Sequence, residues 1–266
     1  MNQPMKCSIK GLGAIGPGFT SWEEFKAGVV VGSEFGEETP APAPESISKR
    51  ERARAPHLVK LAVVAAEQAC AESGYAPSEL ASVFSSCMSD TEVTDYMCRT
   101  LAVNPSEMSP TKFHNSVHNA AAGYWTISNK AHMPATAISA KREFSGAMAL
   151  LEAITQCVEE QVPVLTVIYD IVVPDVLKCI MDIQEPAAFA FVLSPEDGAE
   201  GIDLLAELTS PNAQATQASE SGASSAVTSS NPAYQLYPLF QGIAKDQRLD
   251  LSLPLGDKQF ISLRSA

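Results

Sequence analysis

Apolar positions along this 266-residue chain recur at two periods, and the switches between them divide it into helices and strands. From Pro56 to Ser73, Leu58, Leu61, Ala62, Ala65, Ala69 and Cys70 fall at helical spacing, with Gly74 as the stop. Ser145 to Gln161 repeats the pattern, with Ala147, Leu150, Leu151, Ile154 and Val158 on one side. Between these helices, Ala81 to Met88 has strand character, Thr91 to Leu101 predicts a helix, and Ala135 to Ala140 a small-residue strand. Val162 to Val173 and Ala187 to Ser194 are short runs rich in Val, Ile and Phe, the signature of strands buried on both faces. Gly201 to Leu208 adds a last strand. This alternation predicts an α/β fold.

The two ends are less regular. Cys7 to Gly13 reads as a short strand running into a glycine turn, and Ser21-Trp-Glu-Glu24 as a capping box for a helix ending near Gly28. Glu34 to Ala55, with Pro40, Pro42 and Pro44, is expected to be exposed and irregular. Thr209 to Ser230 consists largely of Ser, Thr, Ala, Gln and Gly, too polar to fix itself by burial. The expected division is a domain over 1–208, a flexible linker over 209–231, and a segment over 232–266 that docks on the domain or a partner.

Composition narrows the function. A hydrophobic content of 45% supports a sizeable core, while no run reaches the roughly 18 apolar residues of a membrane span, so no membrane insertion is expected. Cys7, Cys70, Cys87, Cys98, Cys157 and Cys179 are scattered without paired spacing, which reads as reduced thiols in a cytoplasmic protein. The formal net charge of -13 argues against nucleic acid as a partner. It also repels acidic proteins, so if the chain serves an acidic partner, another subunit is expected to supply the basic docking patch.

Three motifs carry candidate chemistry. Gly11-Leu-Gly13-Ala-Ile-Gly16 fits the dinucleotide fingerprint, yet Pro17, Gly18 and the cap at Ser21 start the helix too late to hold a pyrophosphate, and no cofactor is expected. His114 and His118 stand four apart and would share a helical face as metal ligands, but no third ligand has suitable spacing, which favours hydrogen-bonded structural histidines and no metal. Cys87, at a strand end, is either a nucleophile or a buried structural thiol, the commoner case. No histidine follows His132, so chemistry that needs late histidines is excluded.

Together these pieces resemble the N-terminal half of the β-ketoacyl synthases. The opening Ile9-Lys-Gly-Leu-Gly-Ala-Ile-Gly16 followed by Trp22-Glu-Glu-Phe-Lys-Ala-Gly28 is similar to that family's first strand, turn and helix. Ser109 to Gly123 resembles the segment leading to its interface helix. Thr136-Ala-Ile-Ser139 and Ser145-Gly-Ala147 flank the position of its nucleophile elbow, and the strands at Val164–Asp170 and Ala187–Leu193 close the half. The resemblance covers about residues 7 to 195 and implies a thiolase-like fold, mainly the N-terminal half of a ketosynthase.

The departures from that family imply the function. Ketosynthases carry an acylated Cys ahead of the Ser-Gly-Ala stretch; here Glu143 occupies that position, and a carboxylate is no practical thioester nucleophile. The family's two catalytic histidines have no counterpart. The resemblance therefore implies a non-catalytic chain length factor, closest to the short subunits of aryl polyene pathways within type II polyketide biosynthesis. Its partner would be a catalytic β-ketoacyl synthase in a heterodimer, with acyl carrier protein met indirectly through that partner. Thr111 to Ala122 would cross the interface, with Lys112, Phe113, Ser116, Val117, His118 and Asn119 as candidate tunnel or interface residues. A half-fold leaves apolar surface for a partner, or for Tyr234 to Phe240, to cover. Malonyl carrier protein decarboxylation, drawing on Glu143 or His118, is the enzymatic alternative. A nicotinamide-dependent oxidoreductase rests only on the glycine motif and ranks last.

Overall fold

The computed structural model describes residues 4–32, 36, 38–141, 144–195, 201–210 and 230–265. Glu143 and residues 211–229, most of the expected linker, lie outside them. Eight strands form one sheet in the order β3-β2-β4-β5-β1-β6-β8-β7. They are β1 (Met5–Ile15), β2 (Ala81–Ser85), β3 (Ala135–Ile138), β4 (Val164–Asp170), β5 (Ala187–Ser194), β6 (Ile202–Thr209), β7 (Asp250–Pro254) and β8 (Phe260–Ser265). β2 runs parallel to β3 and β4; the remaining pairings are antiparallel.

Helices cover both faces, α3 (His57–Ser73) and α6 (Ala120–Asn129) on one, α1 (Trp22–Val31), α7 (Ser145–Glu160) and α8 (Tyr237–Ala244) on the other. The alternation of β5 explains the asymmetry of these layers. Its Phe189, Phe191 and Leu193 point to the α7 side, while Ala188, Ala190 and Val192 meet α3. α3 answers with Ala62, Ala65, Ala66 and Ala69, so two small-residue surfaces approach closely. On the other face an aromatic cluster fills the wider gap, with Phe189 and Phe240 rings 4.9 Å apart and Phe19 and Phe25 5.2 Å apart.

The close approach of α3 accounts for the glycine motif. β1 does not stop at a turn near Gly13 but runs through to Ile15. A Cβ on Gly11 would sit 2.1 Å from the Ala69 carbonyl oxygen, and one on Gly13 2.1 Å from that of Ala65. These glycines serve helix-on-strand packing, and no helix opens within the motif. α1 is capped by Ser21, which accepts from the Glu24 N–H, and continues past Gly28 to Gly32 at φ 71°.

Elsewhere the differences from expectation are local. The segment expected to be irregular up to Ala55 buries Pro42, Pro44 and Ile47 and holds a short helix α2 (Lys49–Arg52), started by the Ser48 cap. α4 (Thr91–Val103) runs past the expected end at Leu101. Residues 110–129, without a sequence-based assignment, form α5 (Pro110–His114) and α6. The C-terminal segment packs on the same body: Leu236, Leu239 and Phe240 are buried against α1 and α7, and β7 and β8 extend the sheet from β6.

Candidate functional site

β2, β3 and β4 end on the same side of the sheet, because all three are parallel, and their following loops converge there. Asp170, the last residue of β4, is fully buried at this edge. Its carboxylate accepts from Ser86 Oγ at 2.7 Å and from the N–H groups of Cys87 and Met88 at 3.1 Å each. Burial pushes its pKa up to about 6, against the opposing pull of these hydrogen bonds and of His118. Its backbone carbonyl accepts from Asn231 Nδ2 at 3.1 Å, and the same amide donates to the Glu185 carbonyl at 2.8 Å. One residue thus ties the loop after β2 to the C-terminal segment.

The loop held this way is Ser86 to Asp90, with Ser89 at φ 56°. Asp90, buried, caps α4 by accepting from the Val93 N–H at 2.8 Å, and burial raises its pKa. Cys87 is half-buried, its Sγ 3.9 Å from the Ala140 carbonyl and 3.8 Å from Met181 Sδ. Ser86, His118 and Asp170 lie together but do not form a nucleophilic relay. His118 Nε2 is 3.0 Å from the Ser86 carbonyl oxygen rather than its hydroxyl, and that hydroxyl is buried and committed to Asp170.

The remaining candidates lie on or after α5. α5 ends at His114, so the two histidines do not share a helical face: His114 is exposed, and His118 turns inward from the loop. Among the described residues, no group of three or more His, Cys, Asp or Glu side chains gathers as a metal site. Phe113 and Val117 point outward, 61% and 50% exposed. Lys112 lies with its Nζ 3.7 Å above the Tyr96 ring, pinning α5 to α4. Ser116 donates to the Phe113 carbonyl at 2.8 Å, and Asn119 is exposed ahead of α6.

Across the elbow, Ser145 Oγ donates to the Ala140 carbonyl at 2.9 Å. The Ala147 N–H, in the first turn of α7, donates to Gln235 Oε1 at 2.8 Å, and Gln235 Nε2 donates to the Pro254 carbonyl at 3.2 Å. Asp170, Asn231 and Gln235 are not among the residues that the sequence singles out. For Asp170 the sequence does hold a signal, a lone carboxylate inside the apolar run Val162 to Val173; for the other two it holds none.

Among the described residues, no helix is long and apolar enough to cross a membrane. No curated protein matches the sequence. Among solved structures, the chain superposes with a TM-score of 0.73 on a chain of the ketosynthase ApeO in complex with its chain length factor ApeC from Xenorhabdus doucetiae. That match has 22% identity and covers 97% of this chain and 99% of the other. The ishigamide ketosynthase/chain length factor gives a TM-score of 0.73 at 16% identity, covering 99% of each chain. A β-ketoacyl synthase from Burkholderia phymatum gives 0.60 at 12% identity, covering 91% of this chain and 71% of the other. These likenesses establish a thiolase-like ketosynthase fold. A family model described as the N-terminal domain of β-ketoacyl synthase matches residues 25–250, and the chain therefore belongs to that family.

Proposed function

We propose that this chain is a non-catalytic subunit of the chain length factor type, which pairs with an active β-ketoacyl synthase and shapes its acyl tunnel in aryl polyene or related type II polyketide extension. The observation that carries this reading is the extent of the match. The chain aligns end to end with chains from two ketosynthase/chain length factor complexes, but with only 71% of a β-ketoacyl synthase. Two features support the absence of catalysis. Glu143 stands where the resemblance places the nucleophile, and the sequence as given has no histidine after His132 to fill the family's catalytic roles.

The surface supports pairing. β3 stands at the end of the sheet with β2 as its one neighbour, and Ala135–Ile138 contains no charge or proline to blunt that edge. Phe113, Val117, Val172, Val176 and Ile180 are large apolar side chains left exposed. Co-expression with a candidate ketosynthase tests the proposal, reading co-purification and product length. The pair should form, and Phe113→Ala should lengthen or broaden the products. A chain that stays monomeric and decarboxylates malonyl carrier protein unaided would overturn it.

A further inference from the structure

The hairpin made by α4 and α5 stands off the body of the fold. Thr91 and Val93 seat the first turn of α4, and from Thr94 to His114 no residue is buried; the next buried one is Asn115. α5 spans only Pro110–His114, and an isolated helix shorter than about 12–15 residues is marginal in water. Its placement is therefore set by what clamps its two ends. At the C-terminal end Asn115 donates from Nδ2 to the Arg54 carbonyl at 3.3 Å, and its Oδ1 accepts from the Tyr124 hydroxyl at 3.3 Å. At the N-terminal end the clamp is a single side chain of α4, Tyr96.

Tyr96 holds this segment through both its ring and its hydroxyl. The ring centroid lies 3.7 Å from Lys112 Nζ. The hydroxyl accepts from the Ser109 N–H at 3.2 Å and donates to the Glu107 carbonyl at 3.4 Å. Ser109 is the N-cap of α5, and Lys112 directly precedes Phe113, which points outward. Among the described residues Lys112 enters no ion pair, so the ring is the partner that fixes it. Resting on the reading of Phe113 as a stop in the partner's acyl tunnel, we infer that Tyr96 is a positioning residue for chain length. It does not touch the acyl chain; it holds α5 so that Phe113 presents one fixed stop. A stop held in one place gives a narrow range of product lengths, and a stop free to rock gives a wide one. Lys112 acts here through the Tyr96 ring rather than by lining the tunnel.

The test co-expresses each variant with the ketosynthase, isolates the pair and reads the product length distribution by mass spectrometry. An exposed cation–π contact shifts an equilibrium by a factor of about two to five, so Tyr96→Leu should raise the share of products off the parent's main length about two- to fivefold, with that main length unchanged. Lys112→Met should broaden the range similarly, and the double variant should add nothing to Tyr96→Leu, because the two side chains act as one contact. Tyr96→Phe, which keeps the ring, should retain most of the narrow range. Phe113→Ala should instead move the main length upward. An unchanged distribution in Tyr96→Leu, beside a shift in Phe113→Ala, would overturn the inference and leave the tunnel reading standing. So would effects of Tyr96→Leu and Lys112→Met that simply add, or a Tyr96→Phe range as broad as that of Tyr96→Leu. If Phe113→Ala changes nothing, the tunnel reading falls and takes the inference with it. Should Tyr96→Leu fail to pair, Lys112→Met, at an exposed position, decides the matter by the same readout.

Discussion

Replacing Asp170 by asparagine removes a charge from the interior while keeping the shape of the side chain. The carboxyl is fully buried, and its pKa stands at about 6 against an ordinary value of 3.8. That difference corresponds to roughly 3 kcal/mol. Because the folded-state pKa lies above the unfolded one, the contribution to stability is whole below the unfolded value and is lost as pH rises through about 6. At neutral pH the chain therefore bears a buried, ionised carboxylate that three donors only partly compensate. The substituted amide would titrate nowhere, but its N–H would confront one of those donors, at a cost of about 1–3 kcal/mol. Asp170→Asn should thus be less stable than the parent near pH 4 and equal or better near pH 8, with a swing of roughly 3 kcal/mol between them. Urea unfolding across that range, followed by the fluorescence of the buried Trp22 and Trp125, reads the swing directly. Parallel stability curves, differing by a constant within about 1 kcal/mol, would refute the reasoning.

Other substitutions probe the remaining joints. Gly13→Ala drives a methyl into the Ala65 carbonyl and should cost more than about 3 kcal/mol, seen as a lowered urea midpoint or lost soluble yield. Phe240→Ala opens the aromatic cluster and should cost about 3–5 kcal/mol in the same assay. Gln235→Ala leaves the Ala147 N–H and the Pro254 carbonyl without this partner; a loss of about 1–3 kcal/mol is expected, with faster hydrogen exchange at Ala147. Phe113→Ala, at an exposed position, should leave stability within about 0.5 kcal/mol, so any change in product length reports on the partner's tunnel.

The elements legible in the sequence are those whose periodicity is strong. α3, α7 and β5 have uninterrupted apolar patterns, and their expected spans differ from the structure by a residue or so. β1 reads short in the sequence because glycine signals a turn, whereas here it is demanded by a helix lying across the strand, a partner remote in sequence. β7 and β8 leave no such mark because they are brief, begin at Asp250 and Phe260, and alternate weakly; pairing with β6, not propensity, makes them strands. At the candidate site, Phe113 and Val117 stand out as apolar residues in a polar stretch. Asp170 leaves a fainter mark, a lone carboxylate inside the apolar run Val162 to Val173, and the folded loop of Ser86 to Met88 is what makes it a buried anchor.

The aromatic cluster joins the two extremes of the described chain. Trp22 and Phe240 are 218 positions apart in sequence, yet their ring centroids lie 5.9 Å from each other. During synthesis, α1 and β5 emerge long before the residues that cover them, so Trp22, Phe25 and Phe189 stay open to water and to other nascent chains. Closing so long a loop is slow, and the sheet gains β8 and β7 only after residues 250–265 have left the ribosome. Folding is thereby timed by the arrival of α8, β7 and β8. Chains interrupted before Phe240 should accumulate as chaperone-bound or aggregated species rather than as a smaller folded unit.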